Sequence, residues 1–115
     1  MYVDDEEQLL LLVKSQLTAE GFTVDTTNAG DTAIEILTRQ EYDVILLDIR
    51  MPRVSGIDVL KHIQKKKIKS RVIMLTAVDD LSVALETVKG GATDYLTKPY
   101  EFENLVNAIL RAVAK

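Results

Sequence analysis

The stretch Val44-Ile45-Leu46-Leu47-Asp48 decides the fold class. Its four consecutive apolar residues show no alternation with polar ones, which predicts a strand buried on both faces, as a central strand of a parallel sheet must be. Val72-Ile73-Met74-Leu75 repeats this pattern and ends at Thr76. Both runs are therefore predicted to be central strands of one parallel sheet.

Three weaker strand signals flank these two runs. Met1 to Val3 is a short apolar start, and Thr93 to Thr97 precedes Lys98-Pro99. Phe22 and Val24 alternate with polar residues, which is typical of a half-buried strand and predicts an edge position. The sequence therefore predicts five strands.

Helical patterns separate the predicted strands. Each pattern spaces its apolar residues three or four apart, which is typical of a helix that buries one face. Gly21 is placed to end the first helix, and Gly90-Gly91 to end the fourth. The predicted buried stripes are Leu10, Val13 and Leu17; Ala33, Ile34 and Leu37; Gly56, Val59, Leu60 and Ile63; Leu81, Ala84, Leu85 and Val88; Leu105, Ala108, Ile109 and Ala112. Alternating strands and helices predict an α/β fold with a doubly wound parallel sheet.

Composition limits the classes of function. The 115 residues fit a single domain spanning 1–115. The absence of cysteine excludes disulfides and thiolate metal sites, and the net charge of −4 argues against nucleic acid as the main partner. The longest apolar run, Leu9 to Val13, is too short to span a bilayer and no signal peptide precedes it, so we expect a cytoplasmic protein without a membrane partner. The basic residues between Lys65 and Arg71 are interpreted as a solvated helix end.

Chemically active side chains follow four of the predicted strands. Asp4 and Asp5 follow the first strand, Asp48 ends the third, Thr76 ends the fourth and Lys98 ends the fifth. Because the carboxyl ends of parallel strands lie along one edge of the sheet, where ligands bind, we expect these five side chains to converge.

Each of these residues also has an ordinary structural interpretation. Asp5 and Gln8 could form a capping box, Asp48 could stabilise a turn, Thr76 could be a β-branched strand residue and Lys98 a surface cation. These interpretations do not explain why all of them occupy the same end of different strands. A shared site explains that coincidence.

The residue types indicate phosphoryl chemistry. Clustered carboxylates repel one another unless a cation lies among them, and oxygen ligands without histidine or cysteine favour Mg²⁺. A carboxylate can accept a phosphoryl group as an aspartyl phosphate, while a hydroxyl and an ammonium bind the remaining phosphoryl oxygens.

The sequence resembles the receiver domains of two-component response regulators over essentially its whole length. The resemblance implies a flavodoxin-like receiver fold, a five-stranded parallel sheet in the order 2-1-3-4-5 with five helices. The residues that carry it are Asp4-Asp5, Asp48, Met51-Pro52, Gly56, Thr76-Ala77 and Lys98-Pro99.

This resemblance implies roles for individual residues. Asp48 would be the phosphoacceptor, served by a histidine kinase, a phosphotransfer protein or a small acyl phosphate. Asp5 and Asp48 would bind Mg²⁺ directly, Asp4 through water and Arg50 through its backbone carbonyl. Lys98 would form an ion pair with the phosphorylated aspartate.

It also implies a switch. Thr76 would move towards the phosphoryl group and free space for Tyr95, so that the face of the fourth helix, fifth strand and fifth helix signals to a downstream effector or forms a homodimer. The Lys98–Pro99 peptide would be cis. Such a protein is a signalling component rather than an enzyme acting on other substrates.

Other readings remain open. A phosphatase with an aspartate nucleophile needs a second carboxylate where this chain has Arg50, and a flavodoxin-like carrier needs a phosphate loop that is missing after the first strand. The stronger alternative is a receiver-like module that binds protein without being phosphorylated. Only three residues precede Asp4, so we expect a short first strand with few ladder hydrogen bonds. Arg50 and Val78 are expected to tune the lifetime of the phosphorylated form.

Overall fold

The structure is a computed structural model that describes residues 1–114, without the side chain of Val78. The described residues form five strands and five helices in alternation, and a 3-10 turn at Val78–Asp80 follows the fourth strand. The strands are β1 Tyr2–Val3, β2 Thr26–Thr27, β3 Val44–Asp48, β4 Arg71–Ala77 and β5 Asp94–Lys98; the helices are α1 Glu7–Ala19, α2 Gly30–Leu37, α3 Gly56–Lys65, α4 Leu81–Lys89 and α5 Phe102–Val113.

All strand pairs are parallel, and the sheet has the order β2-β1-β3-β4-β5. The predicted order and the central position of the two continuous apolar runs are confirmed. β3 and β4 pair from Val44 with Arg71 to Asp48 with Leu75. This pairing brings the two strands' carboxyl ends side by side.

Helices cover both faces of the sheet, which explains why the central strands are apolar throughout. Successive strand residues point to opposite faces. Ile45 and Leu47 pack in a cluster with residues of α2, α3 and α4, whereas Leu46 packs in a second cluster with residues of α1 and α5. Both clusters need apolar side chains, so no position in the run can be polar until Asp48.

The second strand lies later in the chain than predicted. The alternating segment from Phe22 to Asp25 was expected to form it, but the ladder contains only Thr26 and Thr27. In the observed register Tyr2 pairs with Thr26 and Val3 with Thr27, so the ladder with β1 lies after the alternating segment. The prediction of an edge position is confirmed.

The buried face of α4 also differs from the prediction. Leu81 and Leu85 were expected in the core, but they are 38% and 45% exposed. The buried residues are Ala84 and Thr87, whose hydroxyl donates to the Ala84 carbonyl oxygen at 2.6 Å. Val83 and the predicted Val88 are partly buried against the same core, whereas the two leucines remain on the surface.

The remaining predicted stripes of α1, α3 and α5 are buried, and Gly21 follows α1 with a φ of 97°. Among the described residues, no helix is both long and apolar enough to cross a membrane.

Candidate functional site

The first strand is short but bonded to both of its neighbours. The Tyr2 amide donates to Asp25 and the Asp4 amide to Thr27 on one side, at 2.9 and 3.2 Å. On the other side the Leu46 amide donates to the Met1 carbonyl oxygen at 2.8 Å. These bonds fix the backbone on which the acidic pair is mounted, and the Asp4 side chain is fully buried.

The structure brings the three predicted carboxylates together. One oxygen from each of Asp4, Asp5 and Asp48 lies within 4.8 Å of the others. Asp4 and Asp48 are buried, whereas Asp5 is exposed. Burial, followed by the negative charge of Asp4, raises the pKa of Asp48 to about 7 despite the nearby Lys98. The cluster therefore holds more negative charge than its buried surroundings favour.

Lys98 supplies a positive charge at this cluster. Its ammonium donates to Asp4 Oδ2 at 2.7 Å and lies 3.4 Å from Asp48 Oδ1. A longer contact of 4.0 Å reaches Glu6. Burial disfavours the charged ammonium, but the bond to Asp4 and the charges of Asp48 and Asp4 together raise the pKa of Lys98. The lysine therefore stays protonated among the carboxylates.

Tyr2 is a member of the site that sequence reasoning missed. Its hydroxyl donates to Asp4 Oδ2 at 3.0 Å from a fully buried side chain. Burial, with smaller effects from Tyr100 and Asp4, raises the pKa of Tyr2, so it remains a donor. The sequence contains a signal for this contact, because Tyr2 and Asp4 are two residues apart and strand residues at that spacing share a face of the sheet.

The capping-box interpretation of Asp5 is wrong. Helix α1 begins at Glu7 after Glu6, and no side chain caps it. It is Asp4 that bonds the local backbone, accepting from the Glu6 amide at 3.0 Å. Asp5 is thus left free of a capping role at the edge of the acidic cluster.

Gly56 holds the loop after β3 close to Asp48. The Gly56 amide donates to the Ile49 carbonyl oxygen at 2.9 Å, and the Ile49 amide donates to Leu75 at 3.0 Å. A Cβ on Gly56 would lie 2.1 Å from the carbonyl oxygen of Asp48. Only glycine permits this approach, which positions the backbone at Asp48 and directly after it.

Thr76 and Tyr95 lie on the neighbouring strands. Thr76 is 1% exposed, and its hydroxyl donates to the Ala77 carbonyl oxygen at 3.1 Å. Tyr95 pairs with Met74 in the sheet and is half-buried against the cluster under α2, α3 and α4. The predicted cis peptide between Lys98 and Pro99 is present.

Arg50 has a partner that the sequence did not reveal. Its guanidinium donates through Nε and Nη2 to both carboxylate oxygens of Asp80, thirty residues away. This contact raises the pKa of Arg50 and lowers that of Asp80. The Val78 side chain, expected beside the site, lies outside the described residues.

Known proteins match this chain along its length. Cell cycle transcriptional regulator CtrA of Caulobacter vibrioides is 31% identical over 115 residues, 100% of this chain and 50% of that protein. Transcriptional regulatory protein TcrA of Mycobacterium tuberculosis is 35% identical over 115 residues, again 100% of this chain but 45% of that protein. The chain thus spans about half the length of these curated relatives.

Solved structures of other proteins have the same fold as this chain. A response regulator receiver domain protein from Clostridium thermocellum has a TM-score of 0.93 at 35% identity, covering 98% of this chain and 91% of that one. The receiver domain of NtrX from Brucella abortus has a TM-score of 0.93 at 27% identity, covering 99% and 97%. The family model described as the response regulator receiver domain matches residues 1–110. The order of the strands and the sequence matches agree with this family model. The chain therefore belongs to the response regulator receiver domain family of two-component systems.

Proposed function

We propose that the chain accepts a phosphoryl group on Asp48 with the help of Mg²⁺. The observation that carries this proposal is the approach of the Asp4, Asp5 and Asp48 oxygens to within 4.8 Å, with the Lys98 ammonium 3.4 Å from Asp48. An oxygen of Asp48 forms a bond to phosphorus, and the donor's bond to phosphorus breaks, the donor leaving with the electron pair. The donor is a phosphohistidine of a kinase or phosphotransfer protein, or an acyl phosphate.

The donor set fits Mg²⁺. All three side chains offer carboxylate oxygens, which are ligands that this ion prefers. We assign the Arg50 backbone carbonyl as a further, uncharged oxygen ligand. Asp5 and Asp48 are assigned as direct ligands and Asp4 as a ligand through water. Bound there, Mg²⁺ would offset the charge of the carboxylates and of the transferring phosphoryl group.

Lys98 and Thr76 are assigned to the phosphoryl oxygens. Lys98 already lies between Asp4 and Asp48, so a small movement brings its ammonium to a phosphoryl group on Asp48. The Thr76 hydroxyl donates locally, to the Ala77 carbonyl oxygen, and can exchange that acceptor for a phosphoryl oxygen. This exchange would couple to Tyr95 on the adjacent strand.

The signalling surface is assigned to α4, β5 and α5. Leu81 and Leu85 leave apolar area exposed on α4, which supports a protein contact there. We infer that residues 1–115 act as one cytoplasmic receiver domain that controls an effector protein or domain, and that this face also serves any homodimer. Light scattering with and without acetyl phosphate measures dimerisation.

The experiment is intact mass after incubation with Mg²⁺ and acetyl phosphate, on the wild type and on Asp48→Asn. A gain of about 80 Da in the wild type alone supports phosphorylation at Asp48. Chelation of Mg²⁺ should abolish the gain. A folded wild type that gains no mass contradicts the proposal and favours a module that binds its partners without phosphorylation.

A further inference from the structure

The ion pair between Arg50 and Asp80 joins an exposed side chain to a buried one. The Arg50 side chain is 75% exposed, whereas that of Asp80 is 4% exposed. Both carboxylate oxygens of Asp80 are bound by the one guanidinium. The Arg50 side chain is thus accessible to solvent, while the carboxylate it binds is buried.

The pair lines a cavity beside Asp5, the exposed member of the acidic cluster. Arg50 lies two residues after Asp48, and Asp80 directly precedes α4. Together with Asp5 they line a cavity of about 510 Å³ that also includes Met51 and Pro52. A molecule that approaches Asp5 through this cavity therefore meets the ion pair.

An incoming phosphoryl donor is an anion and must approach three carboxylates. Lys98 is engaged by Asp4 at 2.7 Å. Arg50 is a second cation, in the cavity that Asp5 lines, and its planar guanidinium binds carboxylate and phosphate in the same bidentate way. The carboxylate of Asp80 therefore occupies the Nε and Nη2 donors of Arg50 with which the guanidinium would bind a phosphate.

We propose that Arg50 binds the phosphate of the phosphoryl donor, and that Asp80 is an internal competitor for the same guanidinium. This inference rests on the proposed phosphorylation of Asp48. Donor binding replaces the carboxylate of Asp80 with phosphate oxygens on Arg50. Asp80 is then a buried carboxylate without its partner, which favours a rearrangement of the turn before α4.

The test compares the phosphorylation rates of four proteins with acetyl phosphate and Mg²⁺: wild type, Asp80→Asn, Arg50→Gln and the double variant. We expect Asp80→Asn to raise the rate by about two- to fivefold and Arg50→Gln to lower it by a similar factor. The double variant should match Arg50→Gln, because Asp80 acts only through Arg50. Arg53→Gln, an exposed arginine in the same loop, controls for net charge.

Two results would overturn the inference. If both single variants change the phosphorylation rate in the same direction, the ion pair stabilises the loop and Arg50 does not bind the donor. If Arg53→Gln slows the reaction as much as Arg50→Gln does, the effect is general attraction of an anion. Urea unfolding of each variant establishes that the comparison is between folded proteins.

A binding measurement separates this inference from the proposed function. Inorganic phosphate with Mg²⁺ cannot transfer a phosphoryl group, so the Nε–Hε resonance of Arg50 reports binding alone. We expect phosphate to shift this resonance, and at lower concentration in Asp80→Asn than in the wild type. An unshifted resonance overturns the inference even if Asp48 is phosphorylated, whereas a shift without phosphorylation overturns only the proposed function.

Discussion

Lys98 bonds Asp4 more closely than it approaches Asp48, at 2.7 Å against 3.4 Å. Asp4 is fully buried, and a buried carboxylate without a paired cation is strongly unfavourable. Lys98 therefore stabilises the first strand's end as well as facing Asp48. The resemblance of the sequence to receiver domains implied only the second of these roles.

Replacing Lys98 with glutamine should lower the free energy of unfolding by about 2–4 kcal/mol near pH 7, because Asp4 loses its cation inside the protein. Urea denaturation measures the change. Lys14→Gln, which removes an exposed lysine of α1, should change the free energy by less than about 0.5 kcal/mol. Equal effects of the two substitutions would contradict a special role for Lys98.

Replacing Asp48 with asparagine should stabilise the metal-free protein at alkaline pH. Burial and then the charge of Asp4 raise the pKa of Asp48 from 3.8 to about 7 in the folded protein. Between these values the folded state binds a proton that the unfolded state has lost, so wild-type stability falls as the pH rises through this window. The Asp48→Asn variant has no carboxyl group to titrate at this position, so it does not lose stability in this way.

We expect Asp48→Asn to be more stable than the wild type by about 2 kcal/mol at pH 8 and by much less at pH 4.5. Urea unfolding in chelator at both pH values measures it. Asp79→Asn, an exposed aspartate near the site, controls for net charge. An advantage that is equal at both pH values, or shared by Asp79→Asn, would argue against the raised pKa of Asp48.

Gly56→Ala should be far more damaging than Gly90→Ala. A Cβ at Gly56 would lie 2.1 Å from the Asp48 carbonyl oxygen, whereas at Gly90 the nearest atom is 3.4 Å away. We expect a loss of more than about 2 kcal/mol for Gly56→Ala and a change within about 1 kcal/mol for Gly90→Ala. Thermal unfolding of both variants compares them, and similar melting temperatures would contradict the close approach.

The central sheet and most of the site could be predicted because their signals are local. The apolar runs ending at Asp48 and Thr76 identify strands that are covered on both faces, and the positions of polar residues at strand ends imply a shared edge. These inferences need only the period of the strand and the parallel topology.

What could not be predicted depends on how elements pack. The α4 stripe was misplaced because Leu81 and Leu85 fit the helical spacing as well as Ala84 does, and only contact with the sheet selects the small residue. The Arg50–Asp80 pair crosses thirty residues and is set by the folded loop. The β2 ladder depends on the register between β1 and β2, which is set only in the folded sheet.

Substitution of Tyr2 tests whether a residue outside the predicted site affects the affinity of that site for Mg²⁺. Tyr2→Phe keeps the ring but removes the hydroxyl that donates to Asp4 at 3.0 Å. We expect the free energy of unfolding to fall by about 1 kcal/mol and the affinity for Mg²⁺ to fall by about tenfold, because an outer hydrogen bond orients the acidic cluster. Urea unfolding and calorimetric titration with Mg²⁺ measure the two effects.

Tyr42→Phe is the matched control, because it removes a hydroxyl that donates to Asp25 at 2.7 Å and should leave Mg²⁺ affinity unchanged. If Tyr2→Phe also leaves it unchanged, the hydroxyl stabilises the strand without orienting the cluster.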